Sequence, residues 1–144
     1  MYTSFFTKFV ALMAIASSVA GQGLPANCDR TMTVQAGNTC DDISAAYNVS
    51  TYQLASVNNA TIDASCDNLY VGEVLCLGIT GQDCTTTHVI QSGDTCSSVS
   101  TAADISINLL LQNNPNVNTI CTNLYPGEVL CTGNQTYVNV TYSK

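Results

Sequence analysis

The chain has 144 residues, with only 3 lysines and arginines against 10 acidic residues and a formal net charge of −7. So few bases cannot form a basic patch, which excludes nucleic acid and anionic membrane surfaces as partners. The length suits one ordinary domain or two very small ones, and the many Asn, Thr and Ser residues leave a neutral, hydrogen-bonding surface suited to an uncharged polar ligand.

Residues 1–20 read as a secretory signal peptide. Lys8 and a short apolar run precede Ser18-Val19-Ala20, the small-x-small spacing that a signal peptidase needs. The run is too short to span a bilayer, and no other stretch of about eighteen apolar residues exists. A mature chain beginning near Gly21 keeps Arg30 and Lys144 against all ten acids, a net charge of −8. Secretion into an extracellular space follows.

All eight cysteines (Cys28, Cys40, Cys66, Cys76, Cys84, Cys96, Cys121 and Cys131) lie beyond that cleavage point. An even count in a short secreted chain reads as four disulfides. Zinc would need close cysteine pairs and usually several histidines, whereas His88 is the only histidine. No metal or cofactor is expected.

The cysteines also reveal a repeat. Cys28 and Cys40 recur 56 residues later as Cys84 and Cys96, and Cys66 and Cys76 recur 55 residues later as Cys121 and Cys131. The phrase NLYVGEVLC at 68–76 returns as NLYPGEVLC at 123–131. Two units follow, at 28–77 and 84–132, joined by a linker at 78–83 and followed by a tail at 133–144. Units of about fifty residues cannot bury enough apolar area unaided, so the cysteines act as staples. Pairing within units leaves three connectivities for each, and the sequence does not choose among them.

In unit one, Thr31–Gln35 alternates with period two, as a half-buried strand does. Ala36–Thr39 is a turn, with Thr39 capping a helix that carries Cys40, Ile43, Ala46 and Tyr47. Asn48-Val49 breaks that helix, and Ser50 with Gln53 forms a capping-box start for a second one carrying Leu54 and Val57. Gly72-Glu73 turns the chain into the closing strand, Val74–Leu77. Unit two repeats this order at His88–Gln91, Cys96–Ala103, Ser106–Asn113 and Val129–Thr132. The fold class is therefore α+β: two small disulfide-stapled units in tandem, each strand–helix–helix–strand.

QAGNTCDDIS…LASVNNA…NLYVGEVLCL and QSGDTCSSVS…LLLQNNPNVN…NLYPGEVLCT resemble lysin motif (LysM) domains. The resemblance covers about 100 residues. Unit two matches better, since unit one has Asn38 for the usual Asp and Asn59 for the usual Pro. With a signal peptide and cysteine staples, the whole is similar to fungal secreted LysM effectors.

That resemblance implies a βααβ fold whose two loops bind N-acetylglucosamine polymers, with chitin and chitooligosaccharides as partners and a ligand-induced dimer as a further expectation. Carried over here, the first loop is Gly37, Asn38 and Thr39, or Gly93, Asp94 and Thr95 in unit two. The second is Asn58, Asn59, Ala60, Thr61 and Ile62, or Asn114, Pro115, Asn116, Val117 and Asn118. The chemistry fits, because an N-acetyl group offers one acceptor, one donor and a methyl that rigid backbone loops can match. Glycine admits a sugar close to the main chain, Pro115 holds its loop ready, and Ile62 and Val117 are expected to meet the methyl or a pyranose face. Asn58 and Asn114 either brace the helix end or touch sugar. Tyr70 and Tyr125 are expected in the core, and Glu73 and Glu128 in solvent, as turn carboxylates usually are.

No catalytic group stands out. His88 has no counterpart in unit one, and no pair of carboxylates is singled out by spacing for glycosidase work. Four glycosylation sequons begin at Asn48, Asn59, Asn134 and Asn139. Asn59 falls in a candidate sugar loop, so either it is unmodified or unit one binds weakly. The leading function is a non-catalytic chitin-binding protein that hides chitin fragments from host receptors or coats the fungal wall. Peptidoglycan binding and a wall glycoprotein without sugar binding are the alternatives.

Overall fold

The computed structural model describes residues 23–138. The expected signal peptide and the sequon at Asn139 lie outside them. Eight elements follow in order: β1 (Cys28–Thr33), α1 (Cys40–Tyr47), α2 (Thr51–Val57), β2 (Val74–Ile79), β3 (Thr87–Val89), α3 (Cys96–Ala102), α4 (Ile107–Asn113) and β4 (Val129–Cys131). β1 pairs antiparallel with β2 and β3 with β4, which gives a two-stranded sheet in each half. The strand–helix–helix–strand order is thus met twice, with element ends within a few residues of expectation.

β1 starts earlier than the alternation suggested, because Cys28 pairs with Ile79 through an irregularity at Arg30. The alternation itself holds, with Met32 and Val34 buried and Thr31, Thr33 and Gln35 exposed. β2 runs on to Ile79, so the first two residues of the expected linker belong to a strand.

Threonine and serine start the helices by accepting orphan amides. Thr39 accepts from Asp42 N, Ser50 from Gln53 N, Thr95 from Ser98 N and Ser106 from Leu109 N. The reciprocal capping box forms at Thr95 and Ser98, where Ser98 Oγ takes the Thr95 amide at 2.9 Å. At Ser50 only half of the expected box is present, since the Gln53 side chain turns inward and donates to Leu77 O at 2.7 Å. Asn48, in the left-handed region with φ 50°, ends α1 where the pattern broke.

Each half has its own core. Met32, Val34, Ile43, Val49, Leu54, Ile62, Leu75 and Leu77 form one, and Ile90, Val99, Leu110, Val117 and Leu130 the other. Cores this small need the cross-links. Cys28 pairs with Cys76 and Cys84 with Cys131, which closes each unit end to end. Cys40 pairs with Cys66 and Cys96 with Cys121 inside that frame. No described cysteine is free.

The segment that leaves each unit folds back over its closing strand, using a different lock each time. After unit one, Asp83 is held by Arg30 Nε at 2.5 Å, Arg30 Nη2 at 2.7 Å and Gln53 Nε2 at 2.7 Å, while Gln53 Oε1 accepts the Cys84 amide at 3.0 Å. After unit two, Asn113 donates to Gln135 O and accepts from Tyr137 N, both at 2.8 Å. Gly78 and Gly133 make room, since a Cβ would strike Asp83 at one and the Tyr137 ring at the other. The units also touch directly. Val129 N donates to Thr51 Oγ1 at 2.9 Å, and Asp41 Oδ1 accepts from both Thr51 and Tyr125 hydroxyls at 3.3 Å.

Two sequence expectations fail here for one reason. Glu73 and Glu128 are each only 2% exposed, whereas Tyr70 is 53% and Tyr125 43% exposed. The repeated phrase packs Leu69 and Leu124 against the cores and turns its tyrosines outward. The glutamates sit where the main chain enters the sheet, with Val34 N bonded to Glu73 O and Ile90 N to Glu128 O, both at 2.8 Å. Spacing in a turn does not reveal that.

Candidate functional site

The first loop of each unit is a four-residue turn. Asn38 N donates to Gln35 O at 3.2 Å, and Asn38 Oδ1 accepts the Gln35 amide at 2.8 Å. Asp94 does the same at 3.1 and 2.8 Å, and its Oδ2 also meets His88 Nε2 at 2.7 Å. The histidine contact, then the Gln91 amide, hold the Asp94 carboxyl below the usual carboxylate range. Gly37 at φ +86° and Gly93 at φ +93° occupy the left-handed position of these turns, which glycine fills without strain. No atom lies within 4 Å of where either Cβ would stand, so the main chain here is open to solvent. Thr39 and Thr95, exposed beside it, are committed to capping α1 and α3.

The second loop begins at a buried asparagine. Asn58 Nδ2 donates to Leu54 O at 2.8 Å and to Cys76 O at 2.7 Å, while its Oδ1 accepts Cys76 N at 2.8 Å. Asn114 repeats all three bonds with Leu110 and Cys131. These side chains are buried and fully bonded, so the geometry makes them braces of the helix end. Their carbonyls then accept Thr61 N and Ile62 N in unit one and Val117 N in unit two. Ile62 and Val117 are core residues and not loop-surface residues. Both tuck inward because the chain turns back at once, which removes them from the surface where a sugar methyl was expected to meet them.

Asn59, Ala60, Thr61, Pro115 and Asn118 remain exposed. Two residues overlooked in the sequence hold this surface. Asn68 Nδ2 donates to Thr61 O at 2.9 Å and Asn123 Nδ2 to Asn116 O at 2.8 Å, while their Oδ1 atoms accept Asp63 N and Asn118 N. They are the first letter of the repeated phrase, so the signal was present. In unit two, Asn116 Nδ2 also donates to Glu128 Oε1 at 2.6 Å. Burial raises the Glu128 carboxyl above its ordinary value and the Asp41 charge adds to this, against opposing hydrogen bonds from the Tyr125 amide and Asn116.

The inner disulfide joins the two loops. Cys40 directly follows Gly37-Asn38-Thr39, and Cys66 follows the second loop by four residues; their Cα atoms are 6.2 Å apart. Cys96 and Cys121 repeat this at 6.0 Å. Both bends of a unit are therefore tethered at one place, each with its own internal hydrogen bonds.

The family model described as "LysM domain" matches residues 32–78 and 88–133. The chain belongs to the LysM family. Secreted LysM effector LysM1 of Trichophyton rubrum is 28% identical over 141 residues, covering 82% of this chain and 56% of its own length. Secreted LysM effector LysM2 of Penicillium expansum is 26% identical, covering 87% of this chain and 43% of its own. A secreted LysM effector of Pochonia chlamydosporia is 36% identical over 106 residues, covering 72% of this chain and 15% of its own. The chain thus spans little more than half the length of these relatives at most. Both LysM units carry the turn glycine and the buried asparagine brace, but only unit two has the Asp94–His88 contact and Pro115.

Proposed function

We propose that the protein is a secreted, non-catalytic carbohydrate-binding effector that captures N-acetylglucosamine oligomers of the chitin type. The carrying observation is the inner disulfide that tethers both bends of each unit. Two stiff bends with exposed main chain suit a ligand read through its acetamido donor and acceptor, and rigidity lowers the ordering cost of binding. The secreted relatives and the LysM units support the effector assignment. The solvent-accessible members of the set are Gly37, Asn38 and Thr39 with Asn59, Ala60 and Thr61, and Gly93, Asp94 and Thr95 with Pro115, Asn116 and Asn118.

In this reading the protein withholds chitin fragments from host receptors or coats the fungal wall, and one oligomer bridging two chains gives a ligand-induced dimer. Where two sites engage one polymer, avidity exceeds a single site by about 10²–10⁴. Pull-down on insoluble chitin beside bacterial sacculi tests the ligand. Retention on chitin alone supports the proposal, and retention on sacculi alone replaces chitin with peptidoglycan.

A further inference from the structure

The two units differ at the exposed residue that follows the asparagine brace. Unit one has Asn59 and unit two has Pro115. Asn59 follows the buried Asn58 brace, is exposed, and opens the sequon Asn59-Ala60-Thr61. Its carboxamide makes no hydrogen bond among the described residues, unlike those of Asn58 and Asn68 on either side. Asn48 and Asn134 are also exposed and also head sequons, but Val49 and Ser50 of the first are buried, and both asparagines lie outside the candidate loops, at the end of α1 and after β4.

The sugar that such a sequon receives matters here. An asparagine-linked glycan begins with two β-1,4-linked N-acetylglucosamines, which is the repeat of chitin itself. A glycan on Asn59 therefore tethers to unit one the ligand class proposed above. Tethering over a short span gives an effective concentration on the order of millimolar, so free oligomers at micromolar levels compete poorly. The Cys40–Cys66 cross-link ties the end of Gly37-Asn38-Thr39 to the segment that follows the loop carrying the attachment point. Unit two, with Pro115, has no such attachment.

We infer that the chitobiose core of a glycan on Asn59 occupies the loops of unit one in cis, leaving unit two as the site open to free oligomers. This rests on the chitin-type reading above, and unit two serves as its internal control. The test uses the chain secreted from a eukaryotic host, beside the same sequence made with disulfides in a host that adds no asparagine-linked glycan and beside the secreted chain stripped with an amidase that removes the whole glycan. Each is mapped for glycopeptides and titrated with triacetylchitotriose by calorimetry. Hydrogen exchange of the 37–39 amides is followed without ligand.

The inference predicts an occupied Asn59, about one trimer bound per wild-type chain, and about two per chain for both glycan-free forms. It also predicts that the Gly37 and Thr39 amides, unlike the Asn38 amide that already bonds Gln35 O, are protected only when the glycan is present. An unoccupied Asn59, or two trimers bound with Asn59 occupied, overturns it. A single trimer with unprotected Gly37 and Thr39 amides also overturns it, since the glycan would then only obstruct. No heat from any form would sink the chitin-type reading itself, and this inference with it.

Discussion

Asn114 and Cys131 exchange two hydrogen bonds, the Cys131 amide donating to Oδ1 at 2.8 Å and Nδ2 donating to the Cys131 carbonyl at 2.9 Å. One side chain thereby satisfies both main-chain groups of a buried strand residue and fixes where the second loop begins. Asn114→Ala would leave both groups bare, at about 1–3 kcal/mol each. Urea unfolding should show a loss of about 2–6 kcal/mol on that basis. A loss under about 0.5 kcal/mol would mean that the asparagine is not the brace.

The inner disulfide of unit two closes a separation of 25 residues. Removing it with Cys96→Ala and Cys121→Ala should cost about 3–4 kcal/mol by loop-closure entropy. The account requires more than lost stability. With unit two still folded at low temperature, its amides at 93–95 and 116–118 should exchange faster and oligomer affinity there should fall. Unchanged affinity in a folded variant would show that tethering the loops is irrelevant to binding.

The junction between the units depends on Asp83. Asp83→Ala removes the partner of Arg30, whose guanidinium is held above its usual range first by that hydrogen bond. It also frees one of the two bonds made by Gln53 Nε2. The Cys84 amide, now bonded to Gln53 Oε1, should lose hydrogen-exchange protection, while amides in β1 keep theirs. Equal protection in both proteins would show that the junction does not rely on this carboxylate.

Glu128 gives a pH signature with a defined sign. Its folded carboxyl titrates above the ordinary value because it is buried and faces Asp41, so its charged form disfavours folding. The stability it contributes is present at acid pH and is lost as the pH rises through the raised value towards neutrality. Glu128→Gln keeps an acceptor for Asn116 and removes that dependence. The Tm difference, variant minus wild type, should therefore be larger at neutral pH than in the ordinary carboxylate range. Parallel Tm curves across that span would contradict the assignment.

The repeat, its element order and the helix caps were legible because each has a local cause: a cysteine ladder, period-two alternation, or a hydroxyl before a helix. What escaped was set at a distance. Glu128 is bonded to Asn116 twelve residues away and feels the charge of Asp41 in the other unit, neither of which the turn around it reveals. Gln53 looked like half of a capping box, yet it serves the chain thirty residues on, at Asp83 and Cys84. By chain position Ile62 and Val117 belong to the loop, yet a single turn after the asparagine brace carries them into the core. Asn68 and Asn123 were visible as repeated letters, but a repeat alone does not say what a carboxamide holds.

The central claim is that paired stiff bends read acetylated amino sugars. Calorimetric titration of the secreted protein with chitohexaose tests it most directly, using Asp94→Ala and Pro115→Gly as companions. The account predicts saturable heat and weaker binding at unit two in both variants. Absence of heat with the wild-type protein, or affinity unchanged by either substitution, would contradict it.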